Sequence, residues 1–306
     1  MNIYYYVYIC ILINVAMDKY IEIIKNSFTG YANYLWHEIT HPTGYNYFYY
    51  LIAVSLLVLT FEVLAPWREK QAVTRKGFWQ DVFYMFFNFF LFSLIGYNAL
   101  SNVAVELHHD VLRYFGYKNL VALEVNSWPT WLQFLLMFVL ADFIQWSVHV
   151  MLHRFPWLWK FHQVHHSVEE MSFAAHLRFH PMETIIYKTA LFIPLTMIGF
   201  GIKELFFLHA FNILIGHLNH ANINLNYGKL KYVLNSPGMH IWHHAKYLPK
   251  KHPHGMNFGI TLSIWDYLFN TAYEPHSGKD IELGFEDIEN YPTQFHQQMI
   301  EPFKKK

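Results

Sequence analysis

Three long apolar runs constrain this chain more than any other feature. Tyr47 to Pro66 (YFYYLIAVSLLVLTFEVLAP) is broken only by Glu62. About 20 helical residues are enough to cross a hydrocarbon core of about 30 Å. Val82 to Val105 is a second such run and Thr130 to Leu152 a third. Peptide groups in lipid find no water, so spanning segments must satisfy their own hydrogen bonds, as helices do. A fourth apolar region, Ile185 to Ile215, is interrupted by Pro194, Gly199, Gly201 and Lys203. It reads as two half-spans that enter the membrane and return on the same side.

Composition agrees. Apolar residues make up 54% of the 306 and charged residues only 14%, against about 25% charged in soluble domains. Aromatics reach 20%, with 22 Tyr and 10 Trp, residues favoured where a bilayer meets water. Formal net charge is zero, which offers nothing to nucleic acid. The one cysteine, Cys10, excludes an intrachain disulfide and any cysteine-only metal site.

The loop after the first run carries Arg68, Lys70, Arg75 and Lys76, whereas the loop after the second carries Arg113 and Lys118. The excess of positive charge predicts that the first loop is cytoplasmic. Counting crossings then puts everything after Leu152 on that side, including the Lys304–Lys305–Lys306 tail. Met1 to Met17 is apolar but short and has no basic n-region, which argues against a cleaved signal peptide. An extra span, an interfacial helix and a mis-assigned start all stay open for it.

Histidine is the unusual residue, at 21, and thirteen of these lie between His149 and His244 among apolar sequence. Burying an unpartnered histidine is costly, so a shared purpose is required, and metal binding supplies one. His149 and His153 form H-x-x-x-H at the end of the third run. His162, His165 and His166 form H-x-x-H-H, and His240, His243 and His244 repeat that spacing. Residues three and four apart share a helix face, so each motif aims imidazoles at one point. Together they offer eight nitrogen ligands, enough for two metal ions with positions left open for O2.

Other segments accompany these motifs. Arg178-Phe179-His180-Pro181-Met182-Glu183 reads R-x-H-P-x-E; His220-Ala221-Asn222-Ile223 and Pro237-Gly238-Met239 precede and flank the last motif; Asn257-Phe258-Gly259 and Trp265-Asp266-Tyr267-Leu268-Phe269 follow it. In these features the chain, from about Phe143 to Thr271, resembles the fatty acid hydroxylase/sterol desaturase superfamily of integral-membrane di-metal oxygenases. It departs at Asn270, where many members have glycine; Asn is read as a turn variant because it tolerates left-handed backbone.

The resemblance implies a division of labour. His149, His153, His162, His166 and His243 would hold one metal. His165, His240 and His244, with His220, would hold the other. His217 would be a further ligand or a neighbour of the ligands, and His180 a ligand or a cap that orients them. His176 and His209 are read as bystanders. His252, His254, His276 and His296 are placed on solvated loops.

The expected fold is all-α. It is a multi-pass membrane protein of about four transmembrane helices, with a cytoplasmic helical cap holding the histidine-rich di-metal site. Residues 1–306 form one membrane-embedded domain, 143–271 the catalytic region and 272–306 a cytoplasmic tail. Imidazole suits iron, zinc and copper alike, and oxidation of an unactivated C–H bond by O2 argues for two iron ions, with zinc possible in purified protein. The expected activity is hydroxylation or desaturation of a lipid whose tail reaches the metals from the bilayer. Apolar side chains near His149, such as Trp146, would line its path.

No G-x-G-x-x-G opens a helix, since Gly199-Phe200-Gly201 lacks the third glycine, and no cysteine set could hold an iron–sulfur cluster. Electrons would come from an external donor, which the resemblance implies is cytochrome b5, a ferredoxin or a pterin. Lys246, Lys250 and Lys251 form a basic strip that would meet such a carrier or anionic lipid.

Two other readings compete. His37-Glu38-Ile39-Thr40-His41 is a literal H-E-x-x-H, the pattern of a zinc metalloprotease with Glu38 as base. Against it, Pro42 follows at once, Ile39 and Thr40 are β-branched, no third ligand lies nearby, and the motif falls on the far side of the membrane from the other histidines. A non-catalytic metal or haem carrier would leave most of the cluster unexplained.

Overall fold

A computed structural model describes residues 3–118, 121, 124–198, 202–225 and 227–304. Among these the secondary structure is helical, with three isolated β-bridges, Pro66 to Ile223, Leu234 to Leu262 and Ala245 to Leu283. Helix α1 covers Ile3–Thr40, α2 Tyr47–Leu64, α3 Phe78–Tyr114, α4 Thr130–Arg154, α5 Pro156–His166, α6 Pro181–Ile198, α7 Ile202–His220, α8 Pro237–His243, α9 Ile264–Leu268 and α10 Phe295–Ile300. Within α3, Phe87–Leu91 and Ser93–Tyr97 are π-helical.

Three described helices, α2, α3 and α4, are long and apolar enough to cross a membrane. The fourth apolar region, read as two half-spans, forms two separate helices, α6 and α7, with Pro194 inside α6. The break at Gly199 and Gly201 lies outside the described residues, as do Lys305 and Lys306 and the side chain of Lys203. The N-terminal stretch belongs to α1, which is not one of the three.

The chain divides into two compact units. In the first (Met1–Asn46 and Phe86–Leu120), α1 is tied to the second half of α3 by polar contacts. Lys19 Nζ lies 2.7 Å from Glu106 and 2.9 Å from Asp110, and Asn102 Nδ2 donates to Ser27 Oγ at 2.9 Å.

The second unit (Tyr47–Met85 and Val121–Lys306) holds the histidine-rich region. Its core is built in patches around α4. Val148, Leu152 and Leu158 pack with Ile186 and Tyr187. Met137 and Ala141 pack with Leu195 and Leu208. A third cluster, away from α4, joins Met171, Ala175, Ile241, Trp242 and Met256. Proline opens both short ligand-bearing helices, at the first turn of α5 and of α8, where its missing N–H costs nothing. Ser236 caps α8 by accepting from Met239 N at 3.2 Å, an interaction worth about 1 kcal/mol.

Glu62, the lone charge in the first run, is buried at the end of α2. Its Oε1 accepts from Phe173 N at 2.9 Å and Asn222 N at 2.7 Å. A carboxylate in an apolar helix thus joins two chain segments distant in sequence, one of them two residues beyond His220. Asp81, fully buried in the first turn of α3, bridges Arg75 and Arg178, with Arg178 Nη1 at 2.9 Å. Arg75, counted above as loop charge, is therefore a buried structural cation.

The C-terminal residues do not trail away. Gln298 is fully buried, accepting from Tyr84 OH at 2.7 Å and Gln80 Nε2 at 3.0 Å.

Candidate metal centre

Helical geometry explains how two short motifs serve two sites. With 3.6 residues per turn, positions i and i+4 lie close together around the helix, while i+3 is turned from i+4 by slightly more than a right angle. On α5, His162 and His166 face one point and His165 another. On α8 and its cap, His240 and His244 face one point and His243 the other. The two motifs interlock. His149, His153, His162, His166 and His243 form one group whose ligand atoms all lie within 4.8 Å of one another. His165, His220, His240 and His244 form a second group within the same limit. The two groups have the same members as the division that the resemblance implies.

Several of the outer ring nitrogens are spoken for, although Nδ1 of His240 and of His244 is buried without a partner. His149 Nδ1 donates to Phe258 O at 2.8 Å, His243 Nδ1 to Met256 O at 2.8 Å, His165 Nδ1 to Arg178 O at 3.0 Å and His220 Nδ1 to Gly216 O at 2.7 Å. A carbonyl oxygen can only accept, so each of these four rings carries its proton on Nδ1 and a bare lone pair on Nε2. His153 bonds the His254 backbone, and its Nε2 is buried without a partner. His162 Nδ1 meets Glu183 Oε2 at 2.8 Å.

The inner nitrogens then converge. His165 and His220 bring Nε2 atoms to 3.3 Å, and His220 and His240 to 3.0 Å; His149 and His162 lie 3.1 Å apart, as do His166 and His243. Two lone pairs at 3.3 Å repel unless a cation sits between them. Imidazoles whose far nitrogens are held by carbonyls or a carboxylate are the usual metal-ligand arrangement. The residues present therefore fit metal ions, and imidazole donors suit iron or zinc. Burial also lowers these imidazoles below their ordinary range, His165 to about 4 and His162, His166, His240, His243 and His244 well below 6.5. They are neutral at physiological pH, as ligands must be.

Loops behind the ligands are fixed by buried acceptors. Asp266 accepts from Trp146 Nε1, Phe258 N, Gly259 N and Thr271 Oγ1 at 2.6 to 3.0 Å, and so positions the carbonyl that holds His149. Asn257 Nδ2 bridges Met239 O and Tyr273 O at 2.8 and 2.7 Å. Asn270 adopts a φ of 57°, the left-handed conformation expected of it. Arg178 supplies its carbonyl to His165, while its guanidinium binds Val164 O and Ser167 Oγ.

Other histidines fall elsewhere. His217 belongs to neither group: its Nε2 lies 3.1 Å from Ser55 Oγ and its Nδ1 2.9 Å from His176 Nδ1. His176, read as a bystander, thus packs beside the site, its ring 5.3 Å from that of His220. His180 is also in neither group; it accepts from Met182 N at 3.1 Å and donates to Met299 O at 3.1 Å, capping α6 and holding the C-terminal segment. His209 lies near Tyr47. His252 is buried against Tyr273 rather than solvated, whereas His254, His276 and His296 are exposed. Trp146 does not line an open path: it is 7% exposed, hydrogen-bonded to Asp266 and stacked on Phe269. Lys246 is tied to Glu289 and is not a free docking charge.

In the H-E-x-x-H segment, α1 ends at Thr40, His37 and His41 stack at 4.8 Å, and Glu38 is buried. Neither histidine belongs to a metal-sized group among the described residues.

Sequence reasoning missed Gly255. Its φ is 103°, and a Cβ there would stand 2.9 Å from His153 Nδ1. Main-chain carbonyls such as those of Phe258 and Met256 were also missed, because any residue type supplies one.

The fatty acid hydroxylase sequence profile matches residues 134–271, which include all nine grouped histidines. Over this region, a little under half of the chain, the sequence is similar to the fatty acid hydroxylase family. Ornithine lipid hydroxylase OlsE of Rhizobium tropici is 32% identical over 182 residues, 59% of this chain and 53% of that protein. Alkylglycerol monooxygenase of Xenopus tropicalis is 32% identical over 150 residues, covering 48% of this chain and 31% of its own, and the Homo sapiens enzyme is 30% identical over 139 residues, 44% and 29%. The chain thus spans about half the length of the first relative and about a third of the others. No solved structure matches.

Proposed function

We propose that this chain is an O2-dependent lipid oxidoreductase, a hydroxylase or desaturase type of enzyme, built on two histidine-held iron ions. The observation that carries the reading is the pairing of His165 with His220, two lone pairs aimed at one point from rings locked by main-chain carbonyls. His149, His153, His162, His166 and His243 would hold one iron; His165, His220, His240 and His244 the other. Bound iron would supply the redox chemistry that turns O2 against an unactivated C–H bond. The chain's own part is to hold nine neutral imidazoles, exclude bulk water from them, and keep Glu183 against His162 and the Phe258 and Met256 carbonyls against His149 and His243.

The substrate class follows from the setting. His149 and His153 sit on the last turns of a helix long and apolar enough to span a bilayer, so a chain-bearing lipid reaches the site without leaving its solvent. Relatives named for an ornithine lipid and for alkylglycerols support a lipid substrate. Electrons would arrive from an external donor, cytochrome b5, a ferredoxin or a pterin, and the site would face the cytoplasm by the charge of the loop after α2. No observation favours the protease reading.

The test is metal content and iron Mössbauer spectroscopy on protein from iron-57-fed cells, followed by lipid product analysis. Two irons per chain that respond to reduction and O2 are expected. Protein that takes up no iron, with its histidines intact, overturns the proposal; zinc alone calls for iron reconstitution and assay.

A further inference from the structure

We infer that the C-terminal segment from Phe295 to Phe303, together with the start of α5, is a membrane-surface contact that rests on anionic phospholipid headgroups. The inference depends on the reading of α2, α3 and α4 as spans.

The segment contacts the start of α3 and α5, the helix that follows the end of α4. At one end Gln298 accepts from Gln80 and Tyr84 in the first turns of α3, and Phe295 packs edge-on against Phe83 and Tyr84 at 4.9 Å. At the other end Phe303 packs on Phe161 of α5 at 5.4 Å, and α5 follows directly after the last residue of α4. If the chain crosses the bilayer in α2, α3 and α4 in turn, the start of α3 and the end of α4 lie at the same face. The C-terminal segment must then lie at that face as well.

Its exposed surface suits this place. Trp79 at the start of α3 is 72% exposed, Trp157 on α5 63%, Ile300 57% and Phe303 63%, with Phe155 at 47%. Large apolar residues left in water on a buried-cored cap carry a free-energy cost that interfacial contact removes. Tryptophan at two edges of the patch is the residue type that prefers the headgroup level. Lys160 Nζ lies 3.4 Å from Lys304 O, Lys304 pairs with Glu301 at 2.7 Å, and Arg154 ends α4 three residues before Trp157. That charge balance favours an anionic lipid surface. The inner side of the same segment meets the start of α6: His180 Nε2 donates to Met299 O at 3.1 Å.

The test uses the full chain in phosphatidylglycerol-containing nanodiscs, with Cys10→Ser so that one introduced cysteine takes a spin label. Ile300→Cys and Phe303→Cys are compared with Leu57→Cys, on the exposed side of α2, and Glu286→Cys, an exposed aqueous reference. Accessibility to O2 should exceed that to a water-soluble nickel chelate at 300, 303 and 57, with the order reversed at 286. Nickel access at 300 and 303 equal to that at 286, with 57 lipid-buried, overturns the inference and leaves the spans standing. Nickel access at 57 overturns both. Labels at 300 and 303 shielded from both reagents mean a protein contact, such as a second copy, and also overturn it. Because labels can disturb packing, brominated lipids supply an independent readout on unlabelled protein: they should quench a tryptophan component that Trp157→Phe removes. An unchanged quenching curve in Trp157→Phe counts against the inference.

Discussion

His165 and His220 hold their Nε2 atoms 3.3 Å apart while each spends its Nδ1 proton on a main-chain carbonyl, Arg178 O at 3.0 Å and Gly216 O at 2.7 Å. Neither ring can turn its proton inward without abandoning a buried carbonyl, at a cost of about 1–3 kcal/mol. The repulsion between the two lone pairs is the local strain that a bound cation would relieve.

His244→Ala removes one of four nitrogens from the second group and leaves every apolar span unchanged. Loss of about one metal equivalent per chain, loss of lipid oxidation and normal membrane insertion are expected, checked by metal analysis, product chromatography and carbonate extraction. An active His244→Ala enzyme would dismantle the ligand assignment.

Glu183→Ala takes away the acceptor that orients His162 at 2.8 Å. Removing such an outer partner costs about 10–100-fold in metal affinity or activity. Competition with a chelator should read that loss, with Glu183→Gln falling between the variant and the parent because its amide oxygen still accepts.

Gly255→Ala meets two obstacles at once, a φ of 103° and the His153 ring 2.9 Å from the new Cβ. Destabilisation of about 1–3 kcal/mol is expected from the backbone alone, seen as a lower thermal midpoint together with weaker metal retention. A variant with parental midpoint and metal would show that the loop re-forms without cost.

Acid should destabilise the metal-free protein. His165 is held at about 4 by burial, below its ordinary 6.5. Between those values the unfolded chain binds a proton there and the folded chain does not, so stability rises with pH through that window. Denaturant midpoints should therefore fall as pH drops from 6.5 toward 4, with a shallower slope in His165→Gln.

Much of this was legible in the sequence because it depends on periodicity and residue type. Runs such as Tyr47–Pro66 announce helices, and the spacing of His162 with His166 and of His240 with His244 announces shared faces. Asn270 carries its left-handed backbone in its own chemistry. What stayed hidden depends on groups that every residue has or on neighbours distant in sequence. Trp146 looked like a channel wall because it is apolar and near His149, but its indole N–H is claimed by Asp266, 120 residues later. Arg75 looked like loop charge until Asp81 and burial gave it a partner. The segment after residue 272 looked like a tail because its polarity is local, while Gln298 is buried by α3.

The sequence by itself determined the helical, membrane-suited character of this protein and the identity of the imidazoles, because hydrophobic runs and i, i+4 spacing act within one helix. Only the tertiary structure decided which nitrogen of each ring faces inward and that His243 crosses to join the α4 and α5 histidines. For His149, His243 and His165 those choices are made by the carbonyls of Phe258, Met256 and Arg178, which come from other segments and become partners only when the chain has folded around them; His220 uses the Gly216 carbonyl of its own helix.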